Sequence, residues 1–137
     1  MKVKLLGLLV FTLFLTSCSI DDATRSFFVE VLPIQSVEMP DEFVFGETHE
    51  IFMDYTKPSD CYEFNNFLYQ IDGQERTVGI INTVYTDVNC NPEPETVTVS
   101  FDFTVTSMET YVFKFYQGEG PDGTDQYLIV EVPVADE

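Results

Sequence analysis

Residues 96–106 read Thr-Val-Thr-Val-Ser-Phe-Asp-Phe-Thr-Val-Thr. Every second side chain from Val97 to Val105 is apolar, and the side chains between them carry hydroxyl groups or a carboxylate. A period of two puts successive side chains on opposite faces of an extended chain, whereas a helix requires a period near 3.6. The segment therefore predicts a β-strand with one face in a core and the other in water.

The same alternation recurs in other segments. Residues 127–134 repeat it, and Pro133 near their end indicates an edge position. Residues 47–56 also repeat it. The predicted core-facing side chains of these two segments are Leu128, Val130, Val132 and Val134, and Ile51, Met53 and Tyr55. Residues 27–38 form a long first strand, which Pro33 interrupts, so we expect this strand to kink or to cross between sheets.

A β-hairpin is predicted around the dipeptide Asp72-Gly73, a strong turn signal. Its two strands cover residues 62–71 and 77–85. With the turn centred on that dipeptide, the predicted cross-strand neighbours are Tyr69 with Val78 and Tyr62 with Tyr85.

These segments define an all-β chain. Sandwich and barrel are the two architectures open to it, and seven strands in a chain of this length favour an immunoglobulin-like β-sandwich of antiparallel strands. The seven predicted strands are residues 27–38, 47–56, 62–71, 77–85, 96–106, 111–117 and 127–134.

One local motif supports that architecture. Residues 106–113, Thr-Ser-Met-Glu-Thr-Tyr-Val-Phe, resemble the entry to the penultimate strand of immunoglobulin-like folds. The resemblance implies a tyrosine corner, in which the Tyr111 hydroxyl bonds back to the preceding turn. It extends over residues 27–134. The core Trp and inter-sheet Cys pair of antibody domains are absent from the sequence, so the chain resembles the wider class of bacterial surface modules.

Composition limits the possible functions. The chain has 137 residues, with 24 acidic and 6 basic side chains and a formal net charge of −18. That length predicts one domain, and 45% hydrophobic residues are enough to build its core. The acidic surface argues against nucleic acid as a partner, since polyphosphate binding requires basic groups.

The N-terminus carries a targeting signal. Met1–Lys4 is a short basic start, and the apolar run Leu5–Leu15 has the length of a signal-peptide core, too short to span a bilayer. Leu15-Thr16-Ser17-Cys18 then resembles a bacterial lipobox at all four positions. The resemblance implies cleavage of a lipoprotein signal peptide, residues 1–17, and a diacylglycerol thioether and an N-acyl chain on Cys18. The alternative is an ordinary secretory signal with an incidental Cys.

The residues after Cys18 concern localisation. Ser19-Ile20-Asp21-Asp22 resembles the acidic export signal of surface lipoproteins in Bacteroidota-type bacteria. This favours a lipid-anchored position on the outer membrane, with the cell surface preferred to the periplasmic face. The alternative is that Asp21 and Asp22 belong to a solvated tether, residues 18–26, ahead of the domain at 27–137. Loss of Lys2 and Lys4 with the leader would lower the net charge from −18 to −20.

Cys61 and Cys90 are the two cysteines left in the mature domain. A single Cys pair in an exported chain predicts a disulfide. Its position predicts that it closes the base of the hairpin. A zinc site is not expected, because two Cys and the lone His49 lack the paired spacing of such sites.

No catalytic motif is found, so no catalytic residue is assigned and the chain is not expected to be an enzyme. We expect His49 to be solvated or paired with a carboxylate. The oxygen-rich loops 89–95 and 119–125 are the candidates for Ca²⁺, although connectors of this kind usually bind nothing. The tyrosines that could line a carbohydrate or peptide surface, unless they pack in the core, are Tyr55, Tyr62, Tyr69, Tyr85 and Tyr116.

The sequence therefore predicts a membrane-anchored, non-catalytic lipoprotein that acts as a binding or scaffolding module. Its partners would be the membrane, through the lipid anchor, and a protein or glycan whose identity the sequence does not specify. No dissociable cofactor and no metal site are assigned. The alternative is a structural envelope component or an accessory subunit of a larger outer-membrane complex.

Overall fold

The computed structural model describes residues 24–136, which form ten β-strands. The predicted signal peptide, Cys18 and the acidic pair Asp21 and Asp22 lie outside the described residues. Residues 24–136 contain no helix long and apolar enough to cross a membrane. The strands are β1 (Phe27–Leu32), β2 (Ile34–Glu38), β3 (Phe43–Val44), β4 (Thr48–Lys57), β5 (Tyr62–Asp72), β6 (Glu75–Tyr85), β7 (Glu95–Thr104), β8 (Tyr111–Glu119), β9 (Asp125–Val132) and β10 (Val134–Ala135).

The strands assemble into one large sheet and two smaller ones. In the five-stranded sheet β6 is central: β5 pairs with it along one side, and β1 and β8 share its other side, with β9 beyond β8. The second sheet has the order β2-β4-β7, and β10 pairs with β3 in the third. Side chains from all three sheets meet in one core, so the fold is an all-β sandwich.

Pro33 separates β1 from β2, as the sequence predicted. β1 pairs with β6 in the five-stranded sheet, whereas β2 pairs with β4 in the three-stranded sheet. Proline has no N–H to continue a ladder and a fixed φ, so the chain changes sheets at this residue. The first strand thus ties the two sheets together.

Two parts of the predicted strand arrangement are wrong. The strand count is ten instead of seven, because Pro33 and Pro133 each divide one predicted strand and the two-residue β3 was not foreseen. The strands are not all antiparallel either, since β6 pairs with β8 and β10 with β3 in parallel. The predicted edge near Pro133 is confirmed in that β9 has β8 as its single partner among the described strands.

The alternating pattern of residues 96–106 is confirmed. Phe103 and Val105 are buried, and Val97, Val99 and Phe101 pack against the core from the same face of β7. The inward faces predicted for β4 and for residues 128–134 are confirmed as well. Aromatic rings form the centre of the core, where Phe43 lies 5.2–6.1 Å from the rings of Phe103, Tyr111 and Phe113.

The predicted hairpin forms, but its two-residue loop is Gly73-Gln74 instead of Asp72-Gly73, because Asp72 still pairs with Glu75. Gly73 has a φ of 58°, which only glycine adopts without strain, and glycine at the first loop position is the signature of a type II′ turn. Tyr69 lies opposite Val78, as predicted. Tyr62 lies opposite Val84 instead of Tyr85, because a β-bulge between Phe64 and Asn66 shifts the register by one residue.

Candidate functional site

A groove opens along the side of the sandwich where an edge strand of the five-stranded sheet lies near an edge strand of the three-stranded sheet. Among residues 24–136, β5 pairs with β6 alone and β7 pairs with β4 alone, so one side of each strand has no strand partner. These two edge strands face each other across a cavity of about 450 Å³. That volume falls within the range of small-ligand sites.

Aromatic side chains line the groove. The ring centroids of Phe67 and Tyr69 lie 5.3 and 5.7 Å from that of Phe101, both in edge-on arrangements. Phe64 continues the row, 5.1 Å from Phe67. Tyr69 lines the groove and keeps 39% of its surface exposed, so the groove presents ring area that the fold does not bury. Phe64, beside the lining residues, is 42% exposed. Such rings are suited to contact apolar or planar ligand groups.

Arg76 closes the floor of the groove. Its guanidinium donates hydrogen bonds to the carbonyl oxygens of Gly73 at 2.8 Å and Glu75 at 3.0 Å. The same group lies 5.1 Å from the centre of the Tyr111 ring, within the range of a cation–π contact. Arg76 is 8% exposed, so its charge is committed to the fold. Burial raises the pKa of the Tyr69 hydroxyl, against the opposing effect of the Arg76 charge.

The electrostatic character around the groove is acidic. Of the basic side chains in residues 24–136, Lys57 and Lys114 form ion pairs with Glu95 and Glu75 at 3.0 and 3.2 Å. Arg76 is bonded to backbone, and Arg25 lies over the Tyr85 ring, 4.2 Å from its centroid. Most carboxylates of the domain therefore have no cation beside them. Asp102, which lines the groove, is one of these.

The structure does not bring the five candidate tyrosines together. Tyr55 is fully buried, and its hydroxyl donates to Asn82. Tyr62 and Tyr85 donate to Glu30 and Glu63, each at 3.0 Å. Tyr116 contacts Tyr127 instead, at a ring distance of 6.0 Å. Tyr69 is the one member of that set lining the groove.

The phenylalanines of the groove were not identified as site residues from the sequence. Alternation predicted Phe101 on the core face of its strand, but a core face at an unpaired sheet edge is partly open. The bulge beside Phe64 makes alternation uninformative at the start of β5. An edge strand rich in aromatic residues is the signal that points to them.

Cys61 and Cys90 form the predicted disulfide, with their Cα atoms 5.5 Å apart. Cys61 directly precedes β5, and its carbonyl accepts a hydrogen bond from the amide of Tyr85 at the end of β6. The bond therefore closes the base of the hairpin, as expected. Asp60 and both cysteines are the one group of at least three potential metal ligands found among residues 24–136. Since the two sulfurs are bonded to each other, this group does not supply thiolate ligands.

His49 is largely buried, and of the two environments expected for it the carboxylate partner is the one found. Its Nε2 accepts a hydrogen bond from the Val44 amide at 3.3 Å, and its ring lies 5.0 Å from that of Phe43. The nearest carboxylate oxygen, on Glu47, is 4.0 Å away. The imidazole thus packs against the segment that leads into β4.

The two oxygen-rich loops differ in structure. In loop 119–125, Asp122 accepts hydrogen bonds from the hydroxyl of Thr124, foremost, and from its amide, and these bonds lower the pKa of the Asp122 carboxyl. Loop 89–95 meets Asp60, whose carboxylate accepts from the Asn91 amide at 2.8 Å. Among residues 24–136, neither loop gathers three carboxylates at one point.

No family model, curated protein or solved structure matches this chain.

Proposed function

We propose that this protein is a membrane-anchored, non-catalytic binding module displayed at the bacterial cell surface. The observation that carries the proposal is the aromatic groove between β5 and β7. Tyr69 lines this groove and Phe64 adjoins it, and both expose large ring areas beside a strand edge without a partner, a combination typical of surfaces that bind another molecule. A purely structural role would not require an exposed aromatic groove.

The anchor is inferred from the sequence. The lipobox at residues 15–18 supports diacylglycerol attachment and N-acylation of Cys18, and two or more acyl chains make anchoring stable. Asp21 and Asp22 support export to the outer face of the outer membrane. An ordinary export signal followed by a soluble domain is the competing interpretation.

The direction of β1 supports display of the groove. Phe27 lies opposite Tyr85, at the base of the hairpin, so the tether would join the domain at that end. Tyr69 pairs with Val78, which lies seven residues before Tyr85 in β6. The two positions on β6 are therefore about 23 Å apart. A domain held by its N-terminus would therefore carry the groove on its membrane-distal half.

The immunoglobulin-like class belongs to the same proposal. Two features support it: the Tyr111 hydroxyl accepts hydrogen bonds from the amides of Thr106 and Ser107, and the first strand passes from one sheet to the other. The parallel pairing of β6 with β8 would then be a variation on that class.

An accessory subunit of a larger outer-membrane complex is the second candidate. The outer face of the five-stranded sheet favours it, because Phe27, Val29 and Ile129 are each about three-fifths exposed there. Exposed apolar side chains on one sheet face are suited to contact another protein.

The groove can be tested with panels of glycans and short peptides, followed by amide chemical shifts of the labelled domain. We expect a ligand that binds the groove to shift the amide resonances of Phe67, Tyr69 and Phe101. Tyr69→Ala should weaken its binding about tenfold, the effect of losing a stacked ring. Tyr116→Ala, which removes a ring from the opposite face of the sheet, is the matched control. The proposal fails if no member of either panel distinguishes the two variants.

The anchor has a separate test. Cys18→Ala should abolish incorporation of labelled fatty acid and leave the precursor unprocessed by the lipoprotein peptidase. Normal labelling of this variant would contradict the anchor and leave the groove unaffected.

A further inference from the structure

We propose that the groove binds an extended, basic polypeptide segment, which adds to β5 as an additional strand of the five-stranded sheet. The inference rests on the proposed binding function and names the ligand class of the same groove. It is carried by three observations: the direction of the free backbone groups of β5, the face on which its aromatic side chains lie, and the charge around it.

The backbone groups available on β5 follow from the hairpin turn. In a two-residue hairpin the flanking residues, here Asp72 and Glu75, exchange hydrogen bonds, and bonded pairs then recur at every second residue. Gln70 and Leu68 are accordingly bonded to β6. Ile71, Tyr69 and Phe67 direct their N–H and C=O groups away from β6, towards the unpaired side.

The Phe67 amide confirms this direction. It donates to the side-chain oxygen of Asn66 at 2.8 Å, a local bond that a β6-facing amide could not make. Asn66 thus covers one edge donor next to the bulge, as side chains often do at sheet edges. The outward edge beyond it, at Tyr69 and Ile71, has no such cover among the hydrogen bonds of the described residues.

The residues with outward backbone groups are also the ones that face the groove. Phe67, Tyr69 and Ile71 all line it. A strand added beside them would place its own alternate side chains on the same face, over Phe101 of the opposite sheet. Main-chain hydrogen bonds would then give affinity, and the aromatic lining would select the alternate side chains, which is the mode of recognition called β-augmentation.

Charge selects a basic partner. Glu63 and Asp72 lie near the two ends of β5, and Asp102 lies across the groove. Arg76, the one cation lining the groove, is already bonded to two carbonyl groups. A ligand with Lys or Arg at the positions that point out of the groove places its cations beside these carboxylates, while the side chains between them face the aromatic lining. A second copy of the chain is disfavoured, because it would bring the same acidic strand and a net charge of −18.

The probe is a seven-residue peptide that alternates Val and Lys, which matches residues 66–72 in length. Two further versions carry N-methyl groups either on all Val or on all Lys residues. In an added strand, only every second residue points its N–H towards β5. We therefore expect one methylated peptide to bind at least about tenfold more weakly than the parent and the other to bind like the parent. The amides of Tyr69 and Ile71 should become protected from hydrogen exchange when the parent peptide is bound.

Two variants of one residue test the protein side. Ile71→Pro removes an outward N–H without touching the ladder to β6, whereas Ile71→Ala removes the side chain and keeps the N–H. We expect the proline variant to bind the peptide about tenfold more weakly than the alanine variant. If the proline variant fails to fold, as judged by circular dichroism, the N-methylated peptides still test whether the ligand binds by strand addition.

The outcomes are distinguishable. Equal binding of both methylated peptides, with no protection at Tyr69 and Ile71, overturns strand addition but leaves a groove that binds. Binding of glycans with no peptide binding overturns the polypeptide ligand alone. If no ligand of either class responds to Tyr69→Ala, the proposed function itself fails.

Discussion

The hydroxyl of Tyr55 donates a hydrogen bond of 3.1 Å to the side-chain oxygen of Asn82 in the interior of the sandwich. Tyr55 belongs to the three-stranded sheet and Asn82 to the five-stranded sheet, and both side chains are fully buried. This bond is a polar link between the two layers in a core built mainly of apolar side chains. It leaves Asn82 Nδ2 buried without a hydrogen-bond partner.

Replacement of this pair should be non-additive. Tyr55→Phe leaves the Asn82 amide with no partner at all, so we expect a loss of about 1–3 kcal/mol in the free energy of unfolding. Asn82→Leu alone orphans the buried Tyr55 hydroxyl and should cost a similar amount. The double variant removes both polar groups and should be more stable than the sum of the two losses predicts. Urea unfolding measures all three, and strict additivity would show that the bond contributes nothing.

The corner at Tyr111 gives a second stability prediction. Its hydroxyl accepts from the amides of Thr106 at 3.1 Å and Ser107 at 3.0 Å, so Tyr111→Phe leaves two partly buried donors unpaired. We expect a loss of about 1–3 kcal/mol, measured by urea unfolding. Tyr127→Phe is the control, since its half-buried ring is on the sheet surface. Equal stability of the two variants would mean that the corner is dispensable.

Loss of the disulfide should destabilise the domain without unfolding it. The bond between Cys61 and Cys90 closes a loop with a sequence separation of 29 residues, which predicts a stabilisation of about 3.5 kcal/mol from loop entropy. The variant carrying Cys61→Ala and Cys90→Ala should keep a β-type circular dichroism spectrum and melt at a lower temperature. Two titratable thiols in the wild-type domain purified under oxidising conditions would contradict the bond itself.

Asp54 gives a pH prediction. Hydrogen bonds from the hydroxyls of Thr98 and Ser36, the Thr98 bond foremost, lower the pKa of its carboxyl below 3.8. A depressed pKa in the folded state stabilises the fold above the unfolded pKa, and this contribution is lost as the pH falls through the folded value. Between pH 6 and pH 2.5 the wild type should therefore lose more stability than Asp54→Asn does. Equal losses in chemical denaturation at the two pH values would exclude the contribution of Asp54.

The strands that the sequence predicted best are those with strict alternation. The strand at residues 96–106 could be predicted without knowing its neighbours, because one face of β7 packs on the core and the other faces solvent. Pro33 was equally informative, since a missing N–H has the same consequence in any sheet. Gly73 of the predicted turn dipeptide opens the two-residue loop and thereby sets the register near Tyr69, for a similar local reason.

Features that depend on distant parts of the chain were not predicted. The bulge after Phe64 and the parallel pairing of β6 with β8 depend on how strands far apart in sequence share the two sides of β6. The groove depends on which strands end a sheet, and that is decided by topology instead of by residue pattern. Hence Tyr69 was included among the candidate residues, while Phe67 and Phe101 were found only in the structure.

The central position of β6 determines how this protein must fold. The hairpin with β5 joins neighbouring segments through a two-residue loop and can form within microseconds. The other side of β6 is different, because β1 returns to it across the whole of β2–β5, and β8 joins it only after β7 has been passed. Such distant pairings slow folding, since a long loop must close before its contacts stabilise the fold. We therefore expect a rapidly formed hairpin followed by a slow final docking step, during which the apolar strands stay exposed and are prone to aggregate.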